Sequence, residues 1–224
     1  MRWYTILYHS PIRWLVRLYF SIFYKLTIKG LHNIPRKGSA LIVSNHQSYL
    51  DPILLQVDVP RLIHVAARKD LFHNPFFRYI VKLFQPIKIE RDTPDKSAFK
   101  RMIELLSQDK IVGLFAEGTR TMDGSISPLK TGFVRLAARC HAPVIPVVIC
   151  GSYEAWKRDS SLPRMTGKII VKFYPPLHLP QNAERRRHAE MHELEQTICN
   201  RITRTFKIRG AAWQKIHSQK AENK

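Results

Sequence analysis

Leu41-Ile42-Val43-Ser44-Asn45-His46-Gln47-Ser48-Tyr49-Leu50-Asp51-Pro52 opens apolar and β-rich, turns polar at Ser44 and closes on Asp51-Pro52, a good helix start. A strand that runs into a polar turn and then a helix is the repeating unit of an α/β sheet. The apolar β-rich texture of 39–44 returns at 62–67, 87–89, 111–116, 144–149 and 168–174. Helical patterns fall between these runs, at about 52–57, 75–83, 95–107 and 131–139, and a charged helix is expected over roughly 183–208, ahead of a fraying Lys-containing end. Near-continuous apolar strands alternating with helices predict an α/β fold whose mostly parallel central sheet is flanked by helices on both faces. No internal repeat or long linker interrupts the pattern. The expected organisation is a helical front segment at 1–25, an α/β domain at 26–180, and a basic helix and tail at 181–224.

A chain of 224 residues is long enough for one ordinary domain with a short appendage. With 45% hydrophobic residues it can fill a core, which excludes global disorder despite a formal charge of +20. Cys140, Cys150 and Cys199 have neither the number nor the spacing of a disulfide framework or a zinc site, so a reducing compartment is the simplest assumption. The charge calls for an anionic partner, which leaves nucleic acid, an anionic membrane face and phosphorylated small molecules open. Its distribution narrows the choice: residues 1–50 carry seven basic side chains and no carboxylate before Asp51.

That front segment is also aromatic. Residues 11–26 read as a helix with Pro11 in its first turn, on which Arg13, Arg17, Ser21 and Lys25 recur every fourth position as a narrow polar stripe. A spanning helix needs about 20 mostly apolar residues, and Arg17 breaks this run near its middle. A signal peptide would show an unbroken apolar stretch and a small-residue cleavage site, and neither is present. Basic residues on one face with Trp and Phe on the other fit an amphipathic helix lying in a membrane interface, and Met1–Tyr8 offers a second such element. The competing reading packs the helix on the domain core with the Arg heads snorkelling outward.

Chemistry collects where strands of an open α/β sheet end. His46 and Asp51 leave the first such end, five positions apart, which on a regular helix separates them by about 140°. They pair only if the intervening segment turns; Asp51 then fixes the tautomer of His46 and leaves its other nitrogen to take a proton from a hydroxyl. After the strand at 111–116 comes Glu117-Gly118-Thr119-Arg120. Gly118 permits close backbone approach, while Thr119 and Arg120 offer donors for an anionic oxygen. Arg91 follows another short strand, and with Arg120 it would make an anion clamp. Lys130-Thr131-Gly132 opens a helix whose backbone donors, with Lys130, either join a phosphate site or simply allow close helix packing.

Taken in order, these segments carry a resemblance. Asn45-His46-Gln47-Ser48-Tyr49-Leu50-Asp51 resembles the His-x-x-x-x-Asp block of the glycerolipid acyltransferase family, and Phe115-Ala116-Glu117-Gly118-Thr119-Arg120 its Phe-x-Glu-Gly-Thr-Arg block. Ile87-Lys88-Ile89-Glu90-Arg91 is similar to the block that ends in Arg, although Gln85-Pro86 stands where a glycine often opens it. Val144-Ile145-Pro146-Val147-Val148 is similar to the fourth, proline-containing block. The match covers roughly 25–180 and is nearest to the bacterial branch of the family that acylates 1-acyl-sn-glycerol 3-phosphate.

The resemblance implies a membrane-surface acyltransferase. His46 would be the general base on the free hydroxyl of a lysophospholipid, oriented by Asp51. Glu117, Gly118, Thr119 and Arg120, with Arg91, would hold the glycerol-phosphate portion; one of Arg68 and Lys69 would add a cation, and Lys130 another. The acyl donor would be a thioester of CoA or of acyl carrier protein, with no bound cofactor, no metal and no acyl-enzyme. The location implied is the cytoplasmic face of the inner membrane, held peripherally against anionic lipid. The same blocks fit another acceptor, such as a lyso-ornithine lipid. A basic nucleic-acid-binding protein rests on the +20 charge alone, without the patterning such proteins carry, so no nucleic-acid partner is expected.

Overall fold

The computed structural model describes residues 11–68, 85–90, 95–185 and 188–221. Seven strands form one sheet, in chain order β1 (Thr27–Lys29), β2 (Ala40–Ser44), β3 (Ile63–Arg68), β4 (Ile87–Ile89), β5 (Ile111–Phe115), β6 (Val144–Cys150) and β7 (Ile170–Phe173). The helices are α1 (Pro11–Tyr24), α2 (Asp51–Leu54), α3 (Lys96–Ser107), α4 (Gly132–Cys140), α5 (Ser152–Ala155) and α6 (His188–Ala221). In space the strands lie β1-β7-β6-β2-β5-β3-β4. Every neighbouring pair is parallel except β6 and β7, so the sheet is mostly parallel with one reversed edge made of β7 and β1. The helices expected at 95–107 and 131–139 appear as α3 and α4; the one expected at 75–83 lies outside the described residues.

The apolar runs are continuous because both faces of the sheet are covered. All five residues of β2 are buried, and they alternate between two cores. Ala40 and Ile42 face a cluster with Phe20 and Tyr24 of α1, Leu54, Leu55, Ile63 and Ile145. Leu41 and Val43 face the other, where Met102, Leu105 and Leu106 of α3, Phe133, Val134, Leu136 and Ala137 of α4, and Ile198, Ile202 and Phe206 of α6 close the layer. Each fully buried aliphatic or aromatic side chain contributes about 1.5–3 kcal/mol, so the two layers hold the middle of the sheet firmly.

Three features depart from the sequence pattern. β1 has only three residues and one strongly apolar side chain, too little for a periodicity to show, yet it pairs in parallel with β7 from Thr27 opposite Ile170 to Lys29 opposite Lys172. Gly30 ends it with φ +76°, where an added Cβ would meet the Phe173 carbonyl oxygen at 2.0 Å. The helix expected at 52–57 is the single turn α2. The tail helix starts at His188, after a short 3-10 turn at Ala183–Arg185, and runs on to Ala221 instead of ending near 208. Arg135 of α4 donates to the buried Glu195 carboxylate of α6, which fixes that helix against the sheet layer.

Helix α1 divides its surface between the two readings of the front segment. Phe20 and Tyr24 pack on the core, and Arg17 turns onto the domain to pair with Asp58 at 2.5 Å. Trp14, Leu15, Leu18 and Ile22 stay outside, with Trp14 68% and Ile22 62% exposed. Arg17 of the stripe is thus tied to the protein, and Trp14, Leu15, Leu18 and Ile22 form an apolar row that α1 presents outward.

Candidate active site

The C-terminal ends of β2 and β5 lie side by side, Ser44 opposite Phe115. From β5 the chain crosses over β2 to reach β6, so β2 marks the point where the sheet order reverses, the place at which open α/β sheets bind their ligands. Asn45 secures this end: its side-chain amide donates to the Ile149 carbonyl and accepts from the Ile149 N–H, both at 2.9 Å. It acts as one more residue of backbone between β2 and β6.

Beyond Asn45 the segment turns back on itself, as the pairing of His46 with Asp51 requires. His46 Nδ1 lies 2.9 Å from Asp51 Oδ2, and the Gln47 and Ser48 N–H groups donate to the same oxygen at 2.6 and 2.8 Å. Asp51 is fully buried at the start of α2. An ionised carboxylate only accepts, so His46 donates through Nδ1–H and its Nε2 carries the free lone pair. The imidazole stacks on Phe115, ring centroids 4.0 Å apart and planes 13° from parallel. Its backbone is held as tightly: the His46 N–H donates to Glu117 Oε1 at 2.8 Å, and its carbonyl accepts from Thr121 N–H at 3.0 Å.

Glu117 therefore braces His46. Its second oxygen accepts from Ser127 N–H at 2.9 Å, so one carboxylate ties the β2 end to the 121–130 loop. This geometry supports a positioning role, with only the remaining lone pairs left for the acceptor contact expected from the sequence. Burial pushes the Glu117 carboxyl above its ordinary range, against the pull of the two amides. A folded-state value above the unfolded one means the contribution to stability is complete below the unfolded pKa and is lost as pH rises through the folded value. Glu117→Gln should remove this step, giving a flatter stability curve than the wild type as pH rises above the ordinary carboxylate range in chemical denaturation. Parallel curves for the two proteins would contradict the assignment.

Gly118 turns the chain with φ +73°, and a Cβ there would fall 2.7 Å from Lys130 Cε, so the Lys130 side chain lies across this turn. Thr119 is exposed next to it. The Arg120 guanidinium sits over the Tyr49 ring, Cζ 3.4 Å from its centroid, and its Nη1 is buried without a hydrogen-bond partner. Tyr49 also contacts Trp156, ring centroids 5.0 Å apart. Arg68 ends β3 at the same end of the sheet, opposite Ile89 of β4. The Arg68 side chain, Lys69 and Arg91 lie outside the described residues.

The structure thus brings together His46, Asp51, Glu117, Gly118, Thr119, Arg120 and Lys130. A model of the family described as Acyltransferase matches residues 25–150. The chain belongs to the acyltransferase family. The 1-acyl-sn-glycerol-3-phosphate acyltransferase of Bacillus subtilis is 35% identical over 150 residues, 65% of this chain and 70% of that protein. The protein of that name from Pseudomonas aeruginosa is 33% identical over 170 residues, 74% of this chain and 63% of its own. Plant relatives are longer: the chain spans about half the length of the Limnanthes douglasii and Limnanthes alba proteins, 56% and 51%. The crystal structure of the 1-acyl-sn-glycerophosphate acyltransferase of Thermotoga maritima superposes with a TM-score of 0.67 over 84% of this chain and 73% of that one. At 24% identity it establishes the shared α/β fold.

Other groups in this acyltransferase-family chain bear on the chemistry. Burial, with Glu154 nearby, pushes the Cys150 thiol up to about 12; burial and Glu195 push Cys199 to about 11. Neither is poised as a thiolate nucleophile near neutral pH. Among the described residues, no three His, Cys, Asp or Glu side chains cluster as metal ligands, and no helix is long and apolar enough to cross a membrane. Asn45 and the Trp156–Arg158 stretch escaped the sequence reading, because their partners lie on other strands and loops.

Proposed function

We propose that this protein transfers a fatty acyl group from a CoA or acyl carrier protein thioester to the free hydroxyl of 1-acyl-sn-glycerol 3-phosphate, giving phosphatidic acid. The observation that carries the reading is the His46–Asp51 pair at 2.9 Å at the strand ends, with Nε2 left for a substrate hydroxyl. His46 Nε2 takes the hydroxyl proton as the oxygen attacks the thioester carbonyl; Asp51 stabilises the imidazolium that forms. The C–S bond then breaks, and the departing thiolate recovers the proton from His46. Arg120, Thr119 and Gly118, with Arg91, Lys130 and one of Arg68 and Lys69, bind the acceptor's phosphate and glycerol oxygens. Purified protein offered a panel of lysolipids, lyso-ornithine lipid included, with both thioester donors and products resolved by mass tests this directly. Phosphatidic acid should dominate; preferential acylation of another acceptor would overturn the acceptor assignment.

The same reading places the protein peripherally on an anionic membrane, at the cytoplasmic face of the inner membrane. Its support is the apolar row of α1 together with Leu162 and Met165, 79% and 46% exposed, in the loop that follows α5. Tyr19 Oη on α1 donates to Met165 Sδ at 3.4 Å, so these two exposed elements adjoin. Replacing Trp14, Leu18 and Ile22 together by serine should weaken cosedimentation with phosphatidylglycerol vesicles by roughly a thousandfold or more, since each fully inserted side chain contributes about 1.5–3 kcal/mol. Unchanged vesicle binding would exclude α1 as the contact.

A further inference from the structure

The loop after α5 brings a cation into the site that belongs to none of the four sequence blocks. Arg158 Nη1 lies 3.4 Å from Thr119 Oγ1 and 3.3 Å from the Arg120 carbonyl oxygen, on the same turn that carries Arg120. The loop is docked there by several bonds. Ser48 Oγ donates to the Trp156 carbonyl at 2.9 Å, Trp156 Nε1 donates to the Ser160 carbonyl at 2.9 Å, and Arg164 N–H donates to the Ala155 carbonyl at 2.8 Å. Trp156 in turn packs on Tyr49, the ring under Arg120.

Two guanidinium groups therefore attach to one turn beside the base. Among the described residues neither has a carboxylate within 4 Å, although Asp159 adjoins Arg158 in the chain. Arg120 Nη1 is buried with no acceptor, and the long contacts of Arg158 engage a single one of its nitrogens. Gathering two positive charges and leaving donors unused costs free energy unless an anion completes the arrangement. A phosphate monoester has the charge and the three acceptor oxygens to take up both forks at once.

We infer that Arg158 is a second guanidinium for the acceptor's phosphate monoester, brought by the post-α5 loop onto the Thr119–Arg120 turn. It sets the preference for a dianionic phosphomonoester headgroup over a zwitterionic one. The inference rests on the acceptor class proposed above and adds a specificity-determining residue to it. Thr119 then acts as a support that aims Arg158, and Trp156 as the wedge that keeps the loop closed against Tyr49.

The test compares the full chain with Arg158→Ala and Arg158→Lys. Two readouts are taken: steady-state kinetics with 1-acyl-sn-glycerol 3-phosphate, and calorimetric binding of sn-glycerol 3-phosphate, which has the phosphate but no acyl chain. Arg158→Ala should raise both the acceptor KM and the glycerol 3-phosphate Kd by about tenfold or more, as loss of one charge-assisted hydrogen-bonded contact implies. The donor KM should stay unchanged and kcat should fall by less than about threefold. Arg158→Lys, which keeps the charge without the fork, should recover part of the loss and serves as the folded control if the alanine variant melts early. An unchanged acceptor KM and Kd, or a fall in kcat with KM intact, would overturn the inference in favour of a purely structural tie. If the wild type acylates a different acceptor, the proposed function fails, yet glycerol 3-phosphate binding to the wild type and variants still decides the role of Arg158.

Discussion

His46→Ala is expected to lower kcat by about a thousandfold while lowering the melting temperature by no more than about 8 °C. A positioned general base contributes about 10²–10⁴-fold, and among the described residues no second group offers a free lone pair in the same place. Glu117 is occupied by two backbone amides, and the Cys150 and Cys199 thiols are held far from thiolate formation. The fold should tolerate the change because the contacts that lock this segment come from its backbone. The residue-46 N–H still donates to Glu117, its carbonyl still accepts from Thr121, and Asp51 keeps the Gln47 and Ser48 amides. What is lost is one hydrogen bond and the stacking on Phe115, on the order of 1 kcal/mol each. Transfer measured with radiolabelled donor, together with a thermal melt, checks both halves; activity within tenfold of the wild type would remove His46 as the base.

Asp51→Asn should cost about 10²–10⁴-fold in kcat and also weaken the fold. Three donors converge on Oδ2, and an amide oxygen in its place accepts them without the charge. The carboxamide NH₂ would then occupy the position of Oδ1, which is buried with no partner. A donor placed there is left unsatisfied, at about 1–3 kcal/mol. If the amide flips instead, its NH₂ meets His46 Nδ1 and selects the tautomer that protonates Nε2, which cannot accept the substrate proton. Either orientation costs both rate and stability, the second because the NH₂ then faces the Gln47 and Ser48 N–H groups, which lose their acceptor. Chemical denaturation and single-turnover kinetics separate the two; a stable variant of wild-type rate would show that Asp51 has no part in orienting the base.

Much of the site could be read along the chain because each block contributes through residues close in sequence. His46 and Asp51 lie within one turn-forming segment, and Gly118, Thr119 and Arg120 within another. The bracing was not legible. Glu117 reaches His46 across 71 positions, Asn45 reaches Ile149 across 104, and Arg158 reaches Thr119 across 39. Those distances close only once Ser44 stands opposite Phe115 of β5 and Val147 of β6. The fold shows the same division. β2, β5 and β6 were visible as apolar runs because they are buried on both faces, whereas β1 is too short to carry a period and the reversal of β7 leaves no trace in its composition.

The sequence by itself therefore determined the two-faced α/β sheet, the polar segments at its strand ends and an α1 too interrupted by Arg17 to span a bilayer. Hydrophobic alternation and local turn chemistry act over a few residues, and so they are written in order along the chain. Tertiary structure alone decided which way the charges face. It turned Arg17 inward to Asp58 and left Trp14 and Ile22 outside, it gave both oxygens of Glu117 to backbone amides, and it set Arg158 beside Arg120. Those outcomes depend on strand register and on which surfaces close over each charge, and burial is a property of the assembled molecule.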